Sequence, residues 1–267
     1  MKIGIIGYGV VGKAASNTFE KAYEVIKYDK FQDLDSFEDL IQCDFVFIMV
    51  PTPFDYNHNK VDDTAVRESL RALDDLNYSG IIIIKSTLAP GICDSYMSKY
   101  KLEIVFNPEF LRESTTPFED FKNQKIVVIG TNSNNNFNLV KNMYSQVLST
   151  DANYYSVLSK EAEMIKCAQN TMLASRVALA NMINDACESN GIDYDLVRKI
   201  AFDKFSIIGP DMVLVPGPDG KKGFGGKCLP KDILAFSTIY NSKLLSEIID
   251  YNCTLRDDLD NFIKNYN

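Results

Sequence analysis

At 267 residues the chain has room for one large domain or two ordinary ones, and 46% hydrophobic with 24% charged residues is an ordinary globular composition. A net charge of −8 argues against nucleic acid as a partner, because phosphate backbones are held by clustered Lys and Arg; one anionic ligand in a local pocket is still allowed. No apolar run approaches the roughly 20 residues needed to span a bilayer, so no membrane partner is expected. Six cysteines without a CxxC pair point to a reduced, cytoplasmic protein with no metal centre.

The chain opens on an apolar segment broken at Gly7, Gly9 and Gly12, which reads as strand and loop rather than as a secretory leader. Through residue 150, apolar runs at 2–6, 24–28, 45–50, 81–84, 103–106 and 125–129 alternate with mixed segments of helical length. Runs that are apolar throughout are those of parallel strands covered on both faces, and their alternation with helices predicts a doubly wound α/β sheet. Residues 159–189 contain no Gly or Pro and predict one long helix, stopped by Gly191. A second helix is predicted over 194–202, then a glycine- and proline-rich loop, then a last helical segment after Pro230.

Gly7-Tyr8-Gly9-Val10-Val11-Gly12 follows the first strand and opens a helix. The first glycine permits a tight turn, the second lets backbone approach a pyrophosphate, and the third allows helix to pack on strand; the helix start adds unsatisfied N–H groups. Asp29 ends the second strand, where a carboxylate accepts hydrogen bonds from ribose hydroxyls and repels a 2′-phosphate. The expected cofactor is therefore NAD, with Lys30 beside Asp29 leaving a small opening for NADP. Val50-Pro51-Thr52-Pro53 and Lys85-Ser86-Thr87 follow the next two strands, at the carboxyl ends where open α/β sheets bind ligands.

Asn107-Pro108-Glu109-Phe110-Leu111-Arg112-Glu113 sets two carboxylates four apart beside an arginine. Lys166 and Asn170 are spaced to share one helix face, and Ile165, Ala168 and Met172 suggest that this helix is largely buried. The loop Pro216-Gly217-Pro218-Asp219-Gly220-Lys221-Lys222-Gly223-Phe224-Gly225-Gly226 is too rich in glycine for a mere connector. After it, Cys228 stands just before Pro230, a residue favoured at the first helical position, so the helix dipole and Lys231 both favour thiolate. A nucleophilic cysteine beside a hydride acceptor suggests oxidation of an aldehyde through a thiohemiacetal and a thioester, with Lys166 and Asn170 serving the oxyanion.

Taken in order, these segments resemble the UDP-glucose/GDP-mannose dehydrogenase family over nearly the whole chain, most specifically in Gly223-Phe224-Gly225-Gly226-Lys227-Cys228-Leu229-Pro230-Lys231-Asp232. The resemblance implies an NAD-binding, Rossmann-like doubly wound parallel sheet over residues 1–155, followed by an all-helical domain over 156–267. It implies two successive NAD-dependent oxidations of a nucleotide sugar, most simply UDP-glucose to UDP-glucuronate. Cys228 would be the nucleophile and Lys166 and Asn170 the oxyanion partners, while Asp232, Thr87 and Glu113 would move protons and position water. Glu109, Phe110, Leu111, Arg112 and Glu113 would meet the sugar, and Gly217, Pro218, Asp219, Gly220, Lys221 and Gly225 would close on the sugar nucleotide. The cofactor would take Gly7 to Gly12, Asp29, Lys30, Val50, Pro51, Thr52, Ser86, Thr87, Glu113 and Lys231.

Members of that family usually continue into a second nucleotide-binding domain, which a chain ending at Asn267 is expected to lack. One rival reading is a β-hydroxyacid dehydrogenase, similar in its Lys and Asn four apart but performing one oxidation without a cysteine. Another is a non-catalytic NAD-binding remnant, against which intact Cys228, Lys166, Asn170 and Asp232 argue. In the resembled family the central helices pair with a second subunit. Here Ile233, Leu234, Phe236, Ile239, Tyr240, Leu244, Leu245, Ile248, Ile249 and Tyr251 exceed what one core face needs, so a homodimer through residues of about 160–260 is expected.

Overall fold

The computed structural model describes residues 1–112, 116–205, 208–209, 211–240 and 242–256. The chain forms two compact units, one made of Met1–Thr52 and Asp62–Lys166, the other of Pro53–Val61 and the chain from Cys167 onward.

In the first unit the strands are β1 (Lys2–Ile6), β2 (Glu24–Tyr28) and β3 (Phe45–Ile48). In the second unit the chain then forms a hairpin of β4 (Phe54–Asp55) and β5 (Lys60–Val61), and it returns to the first as β6 (Ile81–Ile84), β7 (Glu103–Phe106), β8 (Ile126–Gly130) and β9 (Asn153–Val157). The sheet order is β2-β1-β3-β6-β7-β8-β9. The intervening helices are α1 (Val10–Phe19), α2 (Thr64–Asp75), α3 (Ile92–Lys99), α4 (Pro117–Lys122) and α5 (Asn134–Ser145). Alternate strand residues feed two separate cores. Val46, Ile48, Ile82 and Ile84 pack with Val66, Leu70 and Leu73 of α2, whereas Phe45, Phe47, Ile81 and Ile83 pack with Ala14, Phe19 and Tyr144. Both faces are thus covered, which is why these runs carry no polar alternation.

β2, β1, β3, β6 and β7 are parallel, as expected, but β8 pairs antiparallel with β7 through Phe106 and Gly130, and β9 runs parallel to β8. An apolar run reports burial, not direction, so the run at 125–129 could not reveal this reversal. β1 and β3 are neighbours although β2 lies between them in sequence, so the order reverses there, and the loops at their carboxyl ends flank a ligand crevice of the kind open sheets use.

The helix α6 (Ser159–Ser189) has the predicted span and ends where Gly191 takes φ +65°. Lys166 is buried as expected, but the residues offered as the sign of that burial are not. Ile165 and Met172 are exposed, as are Leu179 and Met182, while the face holding Glu163, Lys166, Asn170, Ala174 and Asn181 is buried. The second predicted helix is α7 (Tyr194–Arg198) continued by one wide π turn at Lys199–Asp203. The last segment, expected as one helix, is two: α8 (Leu229–Ser237) and α9 (Lys243–Leu255), the latter capped by Ser242, whose side chain accepts the Leu245 N–H. Phe54, Ala174, Ala178, Phe224, Ile233, Leu234, Leu245 and Ile249 form the core of the second unit. Of the apolar residues assigned to a dimer surface, Ile233, Leu234, Leu245 and Ile249 are therefore spent inside the chain, and Ile239, Tyr240 and Leu244 are the exposed ones.

Candidate functional site

The glycine-rich turn after β1 has the geometry its spacing predicts. Gly7 adopts φ +95° and its N–H donates to the Tyr28 carbonyl at 2.9 Å. A Cβ on Gly12 would collide with the Gly7 carbonyl oxygen, whereas one on Gly9 would meet nothing within 4 Å. Gly9 caps α1 without a side chain, so the first N–H groups of that helix face an open approach suited to a pyrophosphate. Asp29 ties that loop to its own: Oδ2 accepts from the Tyr8 N–H at 2.8 Å and Oδ1 from the Phe31 N–H, two residues on, at 3.0 Å. Lys30 reaches Glu68 at 3.2 Å across exposed surface, a pairing worth little. These residues fit a dinucleotide whose ribose carries free hydroxyls.

The loops after β3 and β6 are tied together. Thr52 Oγ1 donates to the Thr87 carbonyl at 2.8 Å and Ser86 Oγ to the Val50 carbonyl at 2.7 Å, with Thr52, Ser86 and Thr87 all buried. Pro51 is exposed beside them.

Beyond β7 the chain builds a buried polar cluster. Lys85 Nζ donates to Asn107 Oδ1 at 2.9 Å, and the same oxygen accepts from the Tyr144 hydroxyl at 2.6 Å, while Asn107 Nδ2 donates to the Val128 carbonyl. Burial pushes the Lys85 ammonium down to about 7, against the pull of Glu109 and with the help of Lys166. Lys166 lies 3.1 Å from Glu109 Oε1, both side chains almost sealed from solvent, and 5.6 Å over the Phe110 ring. Leu111 donates its N–H to Glu109 Oε2 and packs on the core. Arg112 forks onto Asp120 at 2.9 and 2.8 Å on exposed surface and holds that carboxyl at about 2. Glu113 lies outside the described residues.

In the second unit Asn170 Nδ2 donates to Asp232 Oδ2 in a short hydrogen bond, and both residues are buried. Asp232 Oδ1 stands 3.2 Å from Lys231 Nζ but is a buried oxygen that accepts no hydrogen bond among the described residues. Cys228, half-buried, caps α8, and its carbonyl accepts the Asp232 N–H at 2.9 Å. Pro230 is the second residue of α8 rather than the first. Upstream, Gly217 and Gly220 close a small turn, Gly217 N–H on the Lys221 carbonyl and Gly220 N–H on the Gly217 carbonyl, with Pro218 and Asp219 between them. Asp219 turns to Arg256 at 2.7 Å, and the Gly225 backbone lies against the Arg256 guanidinium.

Of the polar residues in these clusters, Glu163, Asn252 and Arg256 are not singled out by the sequence, and Lys85 is singled out only in part. Lys85 stands out there only as part of its tripeptide, and its lack of an adjacent carboxylate gives no hint of burial. Glu163 sits mid-helix, yet it accepts the Gly91 and Cys93 N–H groups at 2.5 and 2.8 Å and so caps α3, which Gly91 cannot cap with a side chain. Asn252 and Arg256 lie far in sequence from the loop they touch; the glycines at 223 and 225 are the available signal.

The family model of the NAD-binding domain of the UDP-glucose/GDP-mannose dehydrogenase family matches residues 27–148, and that of its central domain matches residues 160–253. The UDP-glucose 6-dehydrogenase of Rickettsia bellii is 32% identical over 242 residues, covering 86% of this chain and 53% of that protein. The chain thus spans about half the length of that relative. In fold it is similar to a UDP-glucose dehydrogenase from Pyrobaculum islandicum (TM-score 0.82, 23% identity, 95% of this chain and 68% of the other). It is also similar in fold to a UDP-D-ManNAc dehydrogenase from Pyrococcus horikoshii (TM-score 0.81, 19% identity, 96% and 69%). With both of its domain models matched in order over most of its length, this chain belongs to the UDP-glucose/GDP-mannose dehydrogenase family, and its cofactor is NAD.

Proposed function

We propose that the chain performs the four-electron oxidation of a nucleotide sugar, UDP-glucose to UDP-glucuronate being the leading case. The observation that carries this reading is the buried Asn170–Asp232 pair one turn of α8 from Cys228. Cys228 caps the helix that carries Asp232, and Asn170 of α6 donates to that carboxylate, whose other oxygen accepts no hydrogen bond among the described residues. UDP-glucose is the substrate named for the Rickettsia bellii relative, which supports that choice here.

Gly7, Gly9, Gly12 and Asp29 would hold NAD, which when bound would supply the hydride acceptor for each of the two oxidations. Asp232 Oδ1 takes the hydroxyl proton in the first. Cys228, as thiolate, then adds to the aldehyde carbon; a C–S bond forms and the carbonyl oxygen takes the negative charge, which the Lys166 ammonium and the Asn170 amide offset. Glu109 and Phe110 hold that ammonium in place. After the second hydride has left, the acyl group is a thioester. Thr87 and Glu113 direct water onto it and Glu113 takes one of its protons; a C–O bond forms, the C–S bond breaks, Cys228 leaves as thiolate, and the acid product gives its remaining proton to solvent and departs as a carboxylate.

The same reading includes a homodimer in the cytoplasm. Its support is the exposed stripe of Met172, Leu179 and Met182 on α6, with Tyr240 and Leu244 beyond α8. The deciding experiment counts NADH released per sugar with UDP-glucose, UDP-galactose, GDP-mannose and UDP-N-acetylmannosamine. Two per sugar with one of them is expected; one per sugar would return the chain to single-step chemistry.

A further inference from the structure

Nothing in the chemistry above gives a part to the end of α9, yet that end holds the loop that leads to Cys228. Asn252 is fully buried; its Oδ1 accepts the Phe224 N–H at 2.7 Å and its Nδ2 donates to the Phe224 carbonyl at 3.0 Å. One side-chain amide therefore takes both polar groups of one backbone residue, as a neighbouring strand would. One turn further on, Arg256 is buried as well and donates through Nη1 to Asp219 Oδ2 at 2.7 Å. Burial opposes ionisation of Asp219, but Arg256 and the Lys221 N–H outweigh it and hold the carboxyl below its ordinary value.

The glycines of the loop make this approach possible. A Cβ on Gly225 would collide with the Arg256 guanidinium, and one on Gly223, at φ +74°, would come within 2.6 Å of Asn252 Oδ1. A loop so rich in glycine loses more backbone freedom on ordering than any other sequence would, so it takes a fixed shape only where something holds it. The Phe224 ring is locked in the core of the unit, and Cys228 follows four residues later.

We propose that Asn252 and Arg256 are positioning residues, a two-point clamp on the loop backbone that sets how Cys228 presents its sulfur. The proposal rests on reading Cys228 as the nucleophile.

The test is alkylation of Cys228 in the full chain by iodoacetamide, followed peptide by peptide by mass spectrometry from about pH 5.5 to 9.5. In Asn252→Ala and Arg256→Met the Cys228 rate is expected to change by about threefold or more, or its midpoint to move by about half a pH unit, with Arg256→Lys recovering part of the loss. NAD affinity by calorimetry should stay within about twofold, which identifies the variants that still fold. Asp219→Asn removes no buried side chain and is expected to produce the same change in smaller measure, so it decides the matter if the buried variants do not fold. A wild-type alkylation profile in folded Asp219→Asn, and in whichever buried variant folds, overturns the clamp. Alkylation needs neither sugar nor turnover, so failure of the sugar assay overturns the reaction and not the clamp.

Discussion

The Lys166 ammonium and the Glu109 carboxylate lie 3.1 Å apart with 5% and 12% of their side chains exposed. A pair closed off to this degree adds little over a well-packed apolar pair but is costly to break, because the survivor keeps its charge in a low-dielectric site. Glu109→Ala should lower the stability of the first unit by about 3–5 kcal/mol in urea unfolding, and adding Lys166→Met should return most of it. Equal losses for the single and double variants would show that the ammonium is not stranded.

Glu163 gives the stability a pH dependence. Burial pushes its carboxyl up to about 7 despite the Cys93 and Gly91 N–H groups, so the folded chain keeps a proton that the unfolded chain releases near 4.5. Its contribution is therefore full below about pH 4.5 and lost as pH rises through about 7, on the order of 3 kcal/mol in all. Lys85 has the opposite sign, with stability lost as pH falls from 10.5 through about 7. Denaturant midpoints between pH 5 and 7 should fall with pH in the native chain and flatten in Glu163→Gln; an unchanged slope in the variant would assign the dependence to another group.

Asp29 accepts one N–H of the phosphate-binding turn, that of Tyr8, and one of its own loop, that of Phe31. Asp29→Ala should weaken NAD about tenfold and bring NADP close to parity, since the repulsion of a 2′-phosphate goes with the carboxylate. Calorimetric titration with both cofactors checks this, and a retained preference for NAD would place the discrimination elsewhere.

Cys228→Ser should stall the second oxidation, because a serine alkoxide is harder to form and leaves less readily than a thiolate. The expected signature is one NADH per sugar at a rate reduced about a hundredfold or more at the second step, read by single-turnover absorbance. Two NADH at the wild-type rate would make Cys228 a structural residue.

The parts of the fold legible in the sequence are those whose neighbours are interchangeable. β6 is four isoleucines buried on both faces, and any apolar neighbours would serve them. β9 is hidden because an edge strand spells itself in Asn153, Tyr155 and Ser156, which face solvent, and the hairpin strands are two residues each. The burial of Lys166 is expected from the sequence for the wrong reason: Ile165 and Met172 point outward, and the helix turns its polar face inward because Glu109, Asp232 and the α3 N–H groups wait there for it. Partnerships of that kind join distant positions one pair at a time, and no periodicity announces them.

The hairpin of β4 and β5 constrains how the polypeptide can be made. Phe54 shares a core with Leu245 and Ile249, so on the ribosome it emerges early and must wait for nearly all of the remaining chain before its partners arrive. A fragment begun at Cys167 would lack Phe54, Tyr56 and Val61 and leave their places in that core empty. Separate production of the two units therefore calls for a rearranged gene in which residues 53–61 travel with the C-terminal half, rather than a simple cut between them.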